Sequence, residues 1–131
     1  MCNVNLNFQL DNPRELTYEE REILDKMMSV EVEGKEIIEK QLESAKVTGY
    51  CTCGCKSINI KVSHNAPKYP YPQRVPVEML VDSSDGVPIQ ILLHIVNGYV
   101  SELEILRVDS QPIDEKYKLE TAIITVNSVK L

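Results

Sequence analysis

Three cysteines within five residues are the part of this sequence most able to do chemistry. Cys51, Cys53 and Cys55 are separated by one residue each, in a chain that holds four cysteines. Thiolates are preferred zinc ligands, and a structural zinc site takes four sulfur or nitrogen ligands. The cluster could therefore hold zinc with a fourth ligand from elsewhere in the chain, the candidates being Cys2, His64 and His94.

The spacing of the cysteines leaves their role open. Structural zinc sites usually place two to four residues between paired cysteines, whereas here every gap is one residue. A two-residue turn at 53–54 would place Cys51 and Cys55 on opposite faces, whereas one long strand over 47–63 with a bulge would put all three thiols on one face. Alternating apolar residues permit either arrangement, and Lys56 is the only adjacent cation that could activate a thiol. We expect structural cysteines, with zinc binding as the alternative.

A histidine and two glutamates form a second group with chemical potential. His94, Glu102 and Glu104 would lie across from each other on two neighbouring strands, and a histidine beside a carboxylate can act as a general acid or base. Cross-strand polar pairs on a solvated sheet face are equally expected. The sequence lacks a Gly-x-Ser-x-Gly motif, a phosphate-binding glycine loop and a His-Glu-x-x-His motif. We therefore expect a protein that is not an enzyme.

Composition sets the class of protein. The 131 residues carry a net charge of −6 and are 43% hydrophobic, which predicts a single α+β domain spanning 1–131. The acidic balance argues against nucleic-acid binding, and no stretch reaches the roughly 18 apolar residues of a membrane span. Because the first residues resemble no secretory signal, we expect a cytoplasmic protein whose cysteines are thiols.

Periodicity predicts the elements that must position these residues. Strict alternation over 2–10 predicts a strand, which the turn-forming residues 11–13 should end. A capping box at Thr17 and Glu20 predicts a helix over 18–29, and a second helix should run from 34 to about 45.

The remainder of the chain alternates with period two. It predicts an antiparallel meander over 75–82, 87–95 and 99–108, a strand-like segment over 121–130, and a Pro-rich loop over 64–74. The fold class is therefore α+β, with two N-terminal helices packed on a mainly antiparallel sheet of five to seven strands.

The turns of the meander set its register. A three-residue loop at 96–98 would pair Ile91 with Leu103, and a five-residue loop at 82–86 would pair Val77 with Ile91. In this register the odd-numbered side chains of β-strand 87–95 face the helices. A slip of one residue would exchange the faces.

The opposite face of the meander mixes apolar and charged side chains. Such a face is too apolar for an ordinary wet surface, and it is typical of surfaces that contact a partner or a second subunit. We therefore predict an interface for a protein partner or a homodimer, formed by Leu92, His94, Val100, Glu102, Glu104 and Leu106.

The middle of the chain resembles a known family. Between Val47 and Arg107 the sequence contains CTCGCKSI at 51–58, RVPVE at 74–78, DGVPIQILL at 85–93 and GYVSELEI at 98–105. These segments resemble small uncharacterised bacterial proteins that combine a Cys-x-Cys-Gly-Cys run with a Gly-[Tyr/Leu]-[Val/Leu]-Ser-x-Leu-Glu-[Ile/Val] strand. The resemblance implies a bacterial, cytoplasmic protein and no known activity. The acidic charge is compatible with an inhibitor, immunity or accessory protein.

Overall fold

The segments in which apolar and polar residues alternate form the strands of one antiparallel sheet. A computed structural model of the chain describes residues 7–52, 55–114 and 116–127, and within these ranges it contains two helices and one seven-stranded sheet. The elements are β1 (Asn7–Glu15), α1 (Tyr18–Met27), α2 (Lys35–Leu42), β2 (Lys46–Cys51), β3 (Ile58–Lys61), β4 (Val77–Ser83), β5 (Pro88–Val96), β6 (Tyr99–Arg107) and β7 (Tyr117–Val126). Across the sheet the order is β1-β2-β3-β6-β5-β4-β7, which confirms the α+β class.

The first helix forms as its sequence predicts. The Thr17 hydroxyl accepts a hydrogen bond from the Glu20 amide at 3.1 Å, and the Glu20 carboxylate accepts one from the Thr17 amide at 2.9 Å. These two bonds satisfy amide groups that a helix start otherwise leaves unpaired. Behind the cap, Ile23, Leu24 and Met27 are buried on one side of α1.

The first strand differs from its prediction. The residues at 11–13 do not end it, because β1 continues to Glu15 and pairs with β2. Its register shifts between Gln9 and Arg14, so the turn-forming residues are absorbed in an irregular stretch within the strand. Residues 2–6 of the predicted strand lie outside the described residues.

The hairpin of β5 and β6 has a different register from the one predicted. Asn97 and Gly98 both have positive φ, 53° and 87°, which is the conformation of a two-residue turn. The register then shifts between His94 and Ile95, so that Ile91 lies opposite Ile105 instead of Leu103. The predicted pairing is wrong by two residues, which leaves every β5 side chain on its expected face.

The hairpin of β4 and β5 shows the same displacement. Val77 lies opposite Leu93 instead of Ile91, because the last pair is Asp82 with Pro88 and the five residues of the loop are therefore 83–87 instead of 82–86. Gly86 has a φ of 86°, and its amide donates to the Ser83 carbonyl at 3.0 Å. This turn keeps the odd-numbered residues of β4 on the buried face.

One apolar core joins the helices and the sheet. It includes residues from α1 and α2 together with alternate residues of β2 to β6. Its fully buried members with the largest side chains include Ile23, Met27, Ile38, Met79, Ile89, Ile91, Leu93, Leu103 and Ile105. Ile124 lies opposite Met79 and Val126 opposite Val77, so these two β7 residues share a face.

A buried glutamine holds α2, the Pro-rich loop and the β5–β6 turn together. The Gln41 amide nitrogen donates to the carbonyls of Pro67 and Gly98 at 2.8 and 2.9 Å, and its oxygen accepts from the Val100 amide at 2.9 Å. In the same loop, the Tyr69 hydroxyl donates to the Glu33 carbonyl at 2.8 Å. Tyr69 therefore anchors the loop to the body of the protein, and its burial raises its pKa to about 12.

Candidate functional site

Alternate residues of β4 to β7 form rows across the sheet on the side away from the core. One row is largely apolar, and its side chains are Ile123, Leu80, Gln90 and Leu106. Ile123 is 67% exposed and Leu80 is 38% exposed. We call the side of the sheet that carries these rows the outer face.

The next row places Leu92 between two carboxylates. Glu78 lies opposite Leu92 on one side and Glu104 on the other. Glu78 also accepts a hydrogen bond from the Asn127 side chain at 3.1 Å. The outer face therefore combines aliphatic side chains with negative charge.

His94 pairs with one of the predicted glutamates. Its Nε2 lies 2.8 Å from a carboxylate oxygen of Glu104, to which it donates, and this hydrogen bond holds the pKa of Glu104 below its ordinary value. Glu102 lies directly opposite His94, and burial raises its pKa. The structure thus brings together His94, Glu102 and Glu104 as predicted, and the group can hold or release a proton on the outer face.

Val100 is not part of this surface. It lies opposite Ile95 in the core and is only 2% exposed, so its prediction as an interface residue is wrong. The register shift after His94 is the cause, because it leaves one additional residue, Ser101, between Val100 and Glu102. This residue turns Val100 toward the core.

The cysteines lie in a connection that neither predicted arrangement describes. β2 ends at Cys51 and β3 begins at Ile58, and the described residues between them, 52 and 55–57, belong to neither strand. Val47 lies opposite Ile60 and Gly49 lies opposite Asn59, with a shift of register between the two pairs.

The sulfur chemistry of this connection also differs from the prediction. Cys51 carries a buried thiol, whereas Cys55 is disulfide-bonded, so the prediction of a thiol at position 55 is wrong. Cys53 and Cys2 lie outside the described residues.

A buried serine anchors the end of the cysteine connection to β6. The Ser57 hydroxyl accepts from the Ile105 amide at 2.8 Å and donates to the Ile105 carbonyl at 3.3 Å. The Lys56 amide donates to that same carbonyl at 3.2 Å, and the Cys51 amide donates to the Ser57 carbonyl at 3.2 Å. These bonds fix the connection at both ends.

The cysteine connection forms one wall of a cleft of about 640 Å³. The other walls come from the start of α1 and from the segment before β7, and Cys51 and Cys55 both line the cleft. Ile58 lies opposite the buried Leu103, so the cleft opens on the core-facing side of the sheet, away from the outer face.

Sequence reasoning missed the cleft. Its lining includes Ile113 and Tyr117, which belong to a stretch whose polar pattern indicates no definite element, and Arg14, which precedes α1. The capping box at Thr17 and the cysteine cluster were local signals near it. The cleft itself depends on contacts between distant segments.

The histidines proposed as a fourth zinc ligand lie elsewhere. His94 is on the outer face, and His64 stacks on Tyr99 with ring centres 4.2 Å apart. Among residues 7–52, 55–114 and 116–127, no group of three or more His, Cys, Asp or Glu side chains is placed to hold a metal ion. In the same ranges, no helix is long and apolar enough to span a membrane.

Comparison with known proteins assigns a family and no activity. No curated protein and no solved structure matches the chain. The model of one family, described as Domain of unknown function (DUF6984), matches residues 13–118. This match contains the segments at 51–105 that resemble an uncharacterised family, and it covers most of the chain. The chain therefore belongs to the DUF6984 family.

Proposed function

We propose that this is a small, non-enzymatic, cytoplasmic bacterial protein that acts by binding another protein through its outer face. The proposal depends first on how the helices lie. Side chains of α1 and α2 share the core with the sheet, and α1 approaches β4 and β7 while α2 approaches β6. We infer that the two N-terminal helices pack on the core-facing side, which leaves the outer face for a partner.

The apolar row on the outer face is the observation that carries the proposal. Ile123 and Leu80 lie directly opposite each other and are both exposed, and Leu106 continues the row on β6. Leu92 lies on the neighbouring row, within reach of Leu80. Clustered aliphatic side chains rimmed by polar ones favour a protein interface over an ordinary solvated surface.

The charged side chains of the outer face indicate which kind of partner would complement it. The outward positions of β4, β5 and β6 carry the carboxylates of Glu78, Asp82, Glu102 and Glu104, and of these only Asp82 lies opposite a lysine, Lys118 on β7. A partner with apolar and basic side chains would complement this face and associate faster at low ionic strength. A second copy would bring like charges together, so a hetero-complex is favoured over a homodimer. An inhibitor, immunity or accessory protein would act in this way.

The test compares two new carboxylates on opposite sides of the sheet. Leu92→Glu adds a charge to the outer face, and Tyr18→Glu adds one to an exposed position of α1. We expect wild type and Tyr18→Glu to retain the same partner, identified by mass spectrometry after affinity purification from the source cells, whereas Leu92→Glu loses it. Sedimentation of the purified protein reports any homodimer. Retention of every partner by Leu92→Glu would contradict the proposal.

Zinc binding by Cys51, Cys53 and Cys55 is the second candidate. The observation that favours it is that Cys51 and Cys55 line one cleft. Thiolates are required as ligands, so the disulfide at Cys55 must first be reduced. Protein purified under reducing conditions should then contain about one zinc ion per chain, and Cys51→Ser should lose it. Metal-free wild-type protein would exclude this candidate.

A further inference from the structure

The cleft beside the cysteine connection is a site distinct from the outer face. Its volume of about 640 Å³ is within the range of pockets that hold small molecules. It lies on the core-facing side of the sheet, so a ligand in the cleft and a partner on the outer face would not compete for the same surface.

The cleft has an apolar floor and an aromatic edge. Ile58, Ile105 and Ile113 line it from below, and Tyr50 lines one side. Tyr50 is 41% exposed and contacts the exposed ring of Phe8, with ring centres 5.3 Å apart. Exposed aromatic rings beside an apolar pocket are suited to stacking with a flat ligand.

The charges around the cleft are of both signs, and the best-placed pair is already satisfied. Arg14 donates two hydrogen bonds of 3.0 Å to the Glu20 carboxylate. Glu20 also accepts from the Thr17 amide, and its hydrogen bonds outweigh burial to keep its pKa below the ordinary value. This pairing leaves Arg14 poorly placed to bind an ionised ligand, and the opposite charges of Glu19 and Lys56, which both line the cleft, favour neither an anion nor a cation.

A tyrosine offers the cleft a hydrogen-bond donor. Tyr117 lines the cleft, and burial raises its pKa well above its usual range, with further contributions from Glu19 and Glu20. Its hydroxyl therefore stays protonated and can donate to an acceptor on a ligand.

We propose that the cleft binds an uncharged aromatic compound that carries a hydrogen-bond acceptor. The ring lies between Tyr50 and the isoleucine floor, and the acceptor receives the hydrogen bond of Tyr117. The apolar floor supplies the burial energy, and the single polar contact fixes the orientation of the ring.

A fluorescent probe with this chemistry tests the site directly. The probe is 6-propionyl-2-dimethylaminonaphthalene, which is uncharged and has a carbonyl acceptor, and its emission is free of tryptophan background because the chain has no Trp. We expect saturable binding at one site with a blue shift of the emission. A naphthalene sulfonate of similar size should bind about tenfold more weakly, because its charge must be buried.

Single substitutions test whether the probe binds in the cleft. Tyr117→Phe removes only the hydroxyl and should weaken binding about three- to tenfold. Tyr50→Ala removes the aromatic wall of the cleft and should weaken probe binding to a similar extent. Leu80→Lys, on the outer face, is the matched control and should leave binding unchanged. Circular dichroism and thermal unfolding confirm that each variant is folded.

Three results would overturn the proposal. The first is the absence of saturable binding to the wild type. The second is unchanged affinity in folded Tyr117→Phe and Tyr50→Ala, and the third is loss of binding in folded Leu80→Lys. None of these results bears on the partner of the outer face, so the two proposals fail independently.

Discussion

Leu92 and Leu93 are neighbours on β5 and have the same side chain, yet they lie in opposite surroundings. Leu93 is fully buried and lies opposite Leu103 in the core. Leu92 is half-buried on the outer face between Glu78 and Glu104. The comparison shows that residue type alone does not separate core from surface in this sheet. The cross-strand partners of each leucine identify its face.

Polar residues also have different surroundings on the two faces. On the buried face, polar side chains are bonded to the protein, as Ser57 is to Ile105 and Arg107 is to Asp109. On the outer face, glutamates remain within reach of water and need fewer protein partners. A substitution that removes contacts should therefore lower the free energy of unfolding strongly on the buried face and weakly on the outer face.

The largest expected effect is at Leu93. Leu93→Ala removes a fully buried side chain from the centre of the core, and the lost burial together with the remaining cavity should lower the free energy of unfolding by about 2–5 kcal/mol. Denaturant unfolding measures the change. The matched control is Leu92→Ala, which should cost less than about 1 kcal/mol. Equal costs for the two variants would contradict the assignment of the faces.

Gln41 should have the next largest effect. Gln41→Leu keeps the volume of this fully buried side chain but removes three hydrogen bonds. We expect a loss of about 2–4 kcal/mol, because buried backbone groups are left without partners. Hydrogen exchange of the Val100 amide should become faster. Gln111→Leu, at an exposed position, is the control, and a loss as small as that of the control would show that Gln41 does not hold the loop.

The faces of the sheet were predictable from the sequence, whereas its register was not. Period-two patterning placed Ile91 and Leu93 in the core correctly, because an error of two residues preserves the face. The error arose at the turns, where a shift after His94 absorbs one residue. Sequence alternation carries no signal for such a bulge, and the misplacement of Val100 follows from it.

The candidate sites were predictable only where they are local. His94, Glu102 and Glu104 follow from two adjacent strands, so local pairing was sufficient to bring them together. The cleft was not predictable, because Tyr50 and Tyr117 are distant in sequence and meet only in the folded protein. The strand pattern also carries no signal for the disulfide at Cys55.

The hydrogen bonds of the buried Arg107 make the stability of the fold depend on pH. Arg107 donates to Asp109 at 3.0 and 2.8 Å and to Asp85 at 2.8 Å. The hydrogen bonds from Arg107 lower the pKa of Asp109 to about 2. The hydrogen bonds from Ser83 and Arg107 hold the pKa of Asp85 well below its usual range. Carboxylates with lowered pKa values stabilise the fold above about pH 4, and this contribution is lost as the pH falls toward their folded-state values.

Asp109→Asn tests this acid dependence. The variant removes one of the titrating groups, so its free energy of unfolding should fall less between pH 4 and pH 2 than that of the wild type. Urea unfolding at each pH measures the slope. Asp25→Asn, on α1 and outside this cluster, is the control and should keep the wild-type slope. A wild-type slope in Asp109→Asn would show that the pairing with Arg107 does not stabilise the fold.

The smallest expected effect is at the exposed end of the outer face. Ile123 is 67% exposed, so Ile123→Lys should change the free energy of unfolding by no more than about 0.5 kcal/mol. Ile124, the next residue, lies opposite the buried Met79, and Ile124→Lys should cost at least about 2 kcal/mol because it directs a charge toward the core. Thermal and denaturant unfolding of the pair compare the two faces within a single strand. Because lysine is common to both variants, a similar loss in each would mean that β7 does not continue the alternation of β4, and the outer face would then end at Leu80.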